Sequence, residues 1–340
     1  MTIENFKKKL FNIKGKTIAV VYIFEGDTNS GFGHFFIWKG KILTEWINVI
    51  EEMHCLPLIL DVRTFIDKAI NRTLPHIDYV LNMNSGTNDL SVMALVPSMC
   101  CSINVPCIPC NAVTIVTGEN KYLSNLIAKG IGIQVPKELN LDDENGIFRP
   151  INLGNSLGVK RGLGSESVNG IYQEFILGYD ITTPIAYNPL TQKMELLPTV
   201  MYLANNKSMD WFNGEDEKRT RTGYQFKLVQ LDQIIEKKYI ELVQALGIQT
   251  FCRIDARVKC IDGMYHGDNS IVSYSDVYFV EVNVMPTIRE NNNFCYSFES
   301  INENSSFYPY IKVLEEEFNS VNTNKFLLTI SMFSYLDNMQ

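Results

Sequence analysis

The residues best suited to chemistry lie on two apolar-patterned runs in the last third of the chain. In a strand, side chains two apart share a face. Along residues 277–284, Tyr278, Val280 and Val282 would then face a core, and Phe279, Glu281 and Asn283 the opposite side. The same rule puts Arg253, Asp255 and Arg257 on one face of residues 251–258. If the two strands pair with those faces together, Asp255, Glu281 and Asn283 form an all-oxygen cluster flanked by Arg253. Hard oxygen donors of this kind suit Mg²⁺ carrying nucleotide phosphates. The alternative is an exposed sheet face of solvated charges.

A second candidate is the loop over residues 152–159, Asn-Leu-Gly-Asn-Ser-Leu-Gly-Val. Its backbone N–H groups and two glycines would let it approach a phosphate closely; the alternative is an ordinary hairpin. It is not a Walker A loop, because no Gly-Lys-Ser/Thr closes it, and no G-x-G-x-x-G follows a predicted strand. The missing fingerprint counts against a dinucleotide-dependent oxidoreductase. Four of the eight cysteines cluster at Cys100, Cys101, Cys107 and Cys110. A C-x-x-C spacing fits a redox pair or half a zinc site. Adjacent Cys100 and Cys101 converge poorly with it and no histidine is near, so small buried thiols are the expectation.

Elements that would position these residues follow from periodicity. Residues 18–24 form a short apolar run, as does 56–62, and residues 79–83 give a third strand. Ile42, Leu43, Trp46, Ile47 and Ile50 follow helical spacing, and residues 65–69 give a short helix. Strand, helix, strand in this order implies a parallel sheet with right-handed crossovers. Ligands tend to sit beyond the carboxyl ends of such strands; here those ends are polar and glycine-containing, at residues 25–33 and 82–88. Further on, residues 120–128 read as a helix, 171–176 as a strand and 232–246 as a long helix closed by Gly247.

Composition limits the remaining classes. The chain has 340 residues, 46% hydrophobic and 20% charged, with a formal net charge of −8. Such a length exceeds what one core usually supports. An acidic balance offers no general attraction for nucleic acid or an anionic membrane. The longest apolar stretch, residues 92–116, is broken by Pro97, Asn104, Pro106, Pro109 and Asn111, so it does not read as a membrane span. No apolar leader follows the polar first residues, and a cytoplasmic protein is the expectation.

Taken in order, the blocks are more specific than any one alone. Arg149-Pro-Ile-Asn-Leu-Gly-Asn-Ser-Leu-Gly-Val159 is followed by Tyr172-Gln-Glu-Phe-Ile-Leu-Gly-Tyr-Asp180, by Arg253-Ile-Asp255 and by Phe279-Val-Glu-Val-Asn-Val-Met-Pro286. This series resembles the ATP-grasp enzymes, most of all the D-alanine–D-alanine ligase branch, over roughly residues 120–293. The resemblance implies an α/β, three-domain ATP-grasp architecture. It would comprise a Rossmann-like N-terminal domain with a parallel sheet (1–111), a shortened central subdomain (112–181) and a C-terminal subdomain with the metal and catalytic residues (182–340).

The resemblance also implies roles. Lys121 matches a lysine that reaches the nucleotide phosphates; otherwise it is a surface helix lysine. Arg149 stands where the family has a second phosphate-contacting lysine, with a planar fork in place of a point charge. Asn155 and Ser156 fall in the loop covering the phosphates and the first substrate. Gln173, Glu174, Phe175 and Ile176 match the adenine hinge, Gln173 keeping an acceptor where glutamate is commoner. Asp180 replaces a ribose-binding glutamate. Asp255, Glu281 and Asn283 fall on the magnesium ligands, and Arg253 on the arginine that stabilises the tetrahedral intermediate. Lys218 is the nearest match to the lysine of the loop closing over ATP; otherwise it belongs to a solvated charge run.

Departures concern the substrates. The family's Gly-Gly-x-Ser segment is absent near residues 24–31, where Glu25 and Asp27 are the available acids. Thr287 follows Pro286 where the family has glycine, and the run 291–293 replaces a serine. The implied activity is an ATP-dependent carboxylate–amine ligase working through an acyl phosphate on amino acids or similar molecules. ATP and Mg²⁺ are the implied cofactors, and a homodimer is the default assembly. The alternative is a degenerate ATP-binding protein serving as partner or sensor.

Overall fold

The computed structural model describes residues 1–23, 40–84, 89–154, 156–162, 169–206, 208–220, 222–260, 271–286, 288 and 292–338. Helix α1 (Ile3–Phe11) leads into β1 (Thr17–Tyr22). Then come α2 (Gly40–Glu52), β2 (Leu56–Asp61), α3 (Val62–Ile70), β3 (Tyr79–Met83), α4 (Leu90–Ser102) and β4 (Cys107–Ile108). The four strands form a parallel sheet in the order β2-β1-β3-β4. As its unbroken apolar run requires, β1 is buried on both sides: Ile18 and Val20 enter one core, Ala19 and Val21 another. Asp61 and Asp89 cap α3 and α4 through their carboxylates.

Helix α4 runs through Pro97, one of the residues that interrupt the apolar stretch 92–116. Proline removes one helical N–H but still packs its ring into the core. Among the described residues no helix is long and apolar enough to cross a membrane. All eight cysteines are free, and Cys100, Cys107 and Cys110 are buried. Burial pushes the Cys107 and Cys110 thiols well up from their ordinary value, opposing the thiolate that metal binding or exchange needs.

Helices α5 (Ala112–Glu119) and α6 (Lys121–Gly130) follow, capped by Asn111 and Asn120. A small antiparallel sheet of order β6-β5-β7 contains β5 (Gly146–Pro150), β6 (Lys160–Arg161) and β7 (Gly170–Glu174). The largest sheet takes β8 (Gly178–Asn188), β9 (Lys193–Leu196), β10 (Thr199–Ala204), β11 (Tyr224–Leu231), β12 (Phe251–Lys259), β13 (Ile271–Val272) and β14 (Val277–Asn283). Its order is β13-β11-β10-β8-β12-β14, with β9 on β8. Between β10 and β11 lies α7 (Glu215–Thr220), and between β11 and β12 lies α8 (Gln233–Ala245).

One face of this sheet is apolar: Ile181, Ile254, Phe279 and Val282 pack against Ile115 of α5, Ala128 of α6 and Ile235, Tyr239 and Leu242 of α8. The other face is free to carry polar side chains. Three last helices, α9 (Asn293–Glu299), α10 (Tyr308–Phe318) and α11 (Thr323–Asn338), close the chain.

Candidate active site

Strands β12 and β14 pair antiparallel with Arg253 opposite Asn283 and Asp255 opposite Glu281, the faces together as alternation predicts. Beyond that point the ladder slips, and Ala256 stands opposite Phe279. Val280 is the extra residue of a β-bulge, which reverses the alternation on its N-terminal side. Phe279 is therefore fully buried in the core and does not share a face with Glu281. Val280 lines the cleft instead. Its carbonyl accepts from Arg149 Nη1 (2.7 Å) and Asn125 Nδ2 (3.2 Å).

Asp255 organises the neighbouring groups. Arg253 grips it as a fork, Nε to Oδ1 at 2.9 Å and Nη2 to Oδ2 at 2.7 Å. Asn283 Nδ2 donates to Oδ2 at 3.3 Å, and the Thr182 hydroxyl of β8 donates to Oδ1. Burial works against the Arg253 charge, but Asp255 outweighs it and holds the guanidinium above its ordinary value.

Glu281 faces a ring of cations. Burial would raise its carboxyl, but Lys121, Lys218, Arg149 and Arg253 together hold it down to about 2. Lys121 Nζ is 3.2 Å from Glu281 Oε2 and donates to Leu153 O at 2.7 Å. The Asn120 cap, accepting from Leu123 N at 3.0 Å, begins α6 so that Lys121 is its first residue and turns inward. Burial lowers Arg149 to about 10, with Glu281 opposing. Burial also lowers Lys218, opposed by Glu281 and Asp255; its backbone N–H donates to Gly214 O at 3.1 Å, and its ammonium group forms no hydrogen bond or ion pair among the described residues.

Four cations thus face two carboxylates. An enclosed surplus of positive charge is costly unless an anion enters, and it is the field that a polyphosphate requires.

The far end of the cleft is set by β7 and the start of β8. Gln173 is buried; its Oε1 accepts from Arg149, and its Nε2 donates to Asn125 Oδ1 and Pro136 O, both at 3.2 Å. One Oε1 lone pair remains. Asp180 accepts from Asn213 N at 2.8 Å and from Arg257 Nη1 at 2.7 Å. Arg257 also donates to Ile176 O (2.7 Å) and Gly178 O (2.8 Å), and its guanidinium lies 4.5 Å from the Phe175 ring centroid. The Ser156 hydroxyl donates to Asn213 O at 3.0 Å, joining the 152–159 loop to the segment before α7.

A single cleft of about 210 Å³ lies among these groups. No protein-family model matches the sequence, and no curated protein matches it significantly. Solved structures do match. The D-alanine–D-alanine ligase of Bacillus anthracis complexed with ATP superposes with a TM-score of 0.62 at 16% identity, covering 95% of this chain and 99% of that one. The D-alanyl-alanine synthetase A of Vibrio cholerae gives 0.61 at 12%, over 95% and 99%. The VanG D-Ala:D-Ser ligase of Enterococcus faecalis gives 0.54 at 14%, over 85% and 96%. The chain has the ATP-grasp fold.

Within this ATP-grasp fold the sequence-derived set converges. Lys121, Arg149, Ser156, Gln173, Glu174, Phe175, Ile176, Asp180, Lys218, Arg253, Asp255, Glu281 and Asn283 all line the one cleft. Asn155 lies outside the described residues, as do Glu25, Asp27, Thr287 and Asn291. Among the described residues no group of three His, Cys, Asp or Glu could hold a metal; the cluster is two carboxylates and an amide.

Several partners were missed. Asn125 and Thr182 bind the named residues but carry no motif of their own. Arg257 shared the face of Asp255 by alternation, and that signal was available. Glu119 accepts from Val284 N (2.9 Å) and Met285 N (3.4 Å) just past the end of β14. Burial, with Lys121 opposing and Glu281 adding, pushes it up to about 7.

Proposed function

We propose that this chain is an ATP-dependent carboxylate–amine ligase acting on amino acids or amino-acid-like substrates. One substrate's carboxylate takes the γ-phosphoryl group of ATP to give an acyl phosphate and ADP. An amine then displaces phosphate, loses a proton and leaves an amide. The observation that carries this reading is the pairing of Asp255, Glu281 and Asn283 with four cations in one cleft of an ATP-grasp fold. One neighbour of that fold was solved with ATP bound.

Two carboxylates and one amide oxygen are donors of the kind Mg²⁺ takes, and Asp255, which accepts two bonds from Arg253 and one each from Thr182 and Asn283, would give up one of them to hold the ion. When bound, the ion would offset the repulsion between the polyphosphate and the incoming carboxylate. The chain's own residues supply the rest. Lys121 and Lys218 bring positive charge to the phosphates, and Arg149 adds a guanidinium braced by Gln173 and Val280. Phe175 and Ile176 offer an apolar bed for the adenine, and Asp180 an acceptor for the ribose. Arg253, held by the Asp255 fork, is pre-aimed at charge that develops on the attacked carbonyl, so no reorganisation is needed at that step.

Amino-acid-dependent ADP release with Mg²⁺, screened over pairs of D- and L-amino acids with products read by mass, tests the proposal. The expected product has the mass of two substrates less water. Asp255→Asn and Glu281→Gln are expected to lower turnover about a hundredfold or more while the chain still folds. Near-wild-type turnover in either would remove the metal assignment.

One observation favours a second reading, a nucleotide-binding protein without ligation. Arg149 spends Nη1 and Nη2 on Val280 O and Gln173 Oε1. That reading predicts ATP binding with flat ADP release across the panel.

A further inference from the structure

One wall of the cleft has no part in the nucleotide and metal scheme. Tyr202 on β10 and Tyr224 and Phe226 on β11 all line it. Tyr202 stands opposite Phe226, and Ala204 opposite Tyr224, so the three rings share the sheet face that carries Asp255. Their centroids are 5.1–5.4 Å apart, and Tyr296 of α9 extends the row 5.2 Å from Phe226. Leu228, next on the same face of β11, is 40% exposed. Tyr202 is buried, whereas Tyr224 and Phe226 are only half-buried.

This wall is fixed to the reaction centre. Arg253 Nη1 donates to Asn293 Oδ1 at 3.4 Å, and Asn293 Nδ2 donates to Tyr202 Oη at 2.6 Å. Trp211 packs on this row from one end, its ring 5.6 Å from Tyr224 and 6.4 Å from Tyr202, and the half-buried rings of Tyr224 and Phe226 still present apolar area to the cleft that a ligand can cover. A methyl group would cover little of it, and an aromatic or large aliphatic group far more.

We propose that the substrate seated beside Arg253 carries a large apolar side chain, preferentially aromatic, and lays it on the wall of Tyr202, Tyr224 and Phe226. Its polar end then meets Arg253 and Asn293. The chemistry that follows rests on the ligase reading; the binding preference does not.

Two measurements separate the claims. Calorimetric binding of phenylalanine and alanine, in both chiralities, is taken with Mg²⁺ and a non-hydrolysable ATP analogue. ADP release and product mass are then read with Mg²⁺ and ATP. Phenylalanine is expected to exceed alanine by about tenfold or more in affinity and in kcat/KM. Phe226→Ala should cut that ratio about tenfold, through KM, and Phe226→Leu should restore part of it. If Phe226→Ala does not fold, the wild-type ratio and Phe226→Leu still decide. Preferred alanine or glycine, or an equal loss for both substrates in the Phe226 variants, overturns the proposal. Selective phenylalanine binding without ADP release supports the wall and overturns the ligase. Amide formation from small substrates alone does the reverse.

Discussion

Glu281 on β14 and Glu119 of α5, which bonds the backbone just past the end of β14, are acids of opposite character. Glu281 is surrounded by cations and held down to about 2, so its charge supports the fold above the ordinary value of 4.5. That support is lost as pH falls towards 2. Glu119 is raised from 4.5 to about 7, chiefly by burial. The folded chain holds its proton more tightly than the unfolded chain. Its contribution is therefore full below pH 4.5 and lost as pH rises through about 7. Gln at this position keeps an oxygen for the Val284 and Met285 N–H groups and removes the titration. Glu119→Gln is expected to stabilise the chain at pH 8 by something on the order of 2 kcal/mol and to make little difference at pH 4. Urea melts in EDTA across that range check it. Parallel wild-type and variant profiles would mean that the carboxyl is not enclosed as the geometry indicates.

The connection from β7 to β8 places several cleft residues at once, and Gly178 makes it possible. Its φ of +145° is one that L side chains rarely adopt, and a Cβ there would stand 1.8 Å from Val258 O of β12. Arg257 reinforces the same turn by bonding Ile176 O, Gly178 O and Asp180 Oδ1. Gly178→Ala forces backbone against backbone, so it should cost about 3 kcal/mol or more and, on the proposed function, weaken ATP binding, since Phe175, Ile176 and Asp180 move with the turn. Chemical denaturation and calorimetric ATP titration check it; a stability within 0.5 kcal/mol of wild type would contradict the close approach.

Much of the polar side of the cleft was legible in the sequence. Alternation is a local property, and it put Arg253, Asp255, Glu281 and Asn283 together. The Val280 bulge was not legible, because it serves a carbonyl to Arg149 and Asn125 from distant segments. Nor were β8, β10 and β11. Most of β8 is buried on both faces, which hides period two, and β11 carries its exposed Gln225, Leu228 and Gln230 without a clean alternation.

At the scale of the molecule, α11 joins the parallel sheet to the largest sheet. It is buried along most of its length, from Phe326 through Ser334. One hydrophobic core contains Ile18 and Leu81 of the parallel sheet, Ala186 and Tyr187 of β8, and Phe326, Leu327, Ile330 and Phe333 of this helix. Its polar groups reach both ways: Tyr335 donates to Cys107 O beside β3, and Ser334 Oγ to Gln249 O just before β12 at 2.6 Å. Lys325, almost fully buried, reaches Glu52 of α2 at 2.8 Å and Ser320 O at 2.9 Å. Two sheets that share a core should unfold together with it. Phe326 packs its ring 4.9 Å from Phe298, 5.5 Å from Tyr310 and 5.6 Å from Phe307. Phe326→Ala is therefore expected to cost about 3–5 kcal/mol. The loss should appear equally in amide exchange protection of β1 and of β8, because one cooperative unit contains both. Were β1 to keep its protection while β8 lost it, the sheets would unfold separately and α11 would belong to the larger sheet alone.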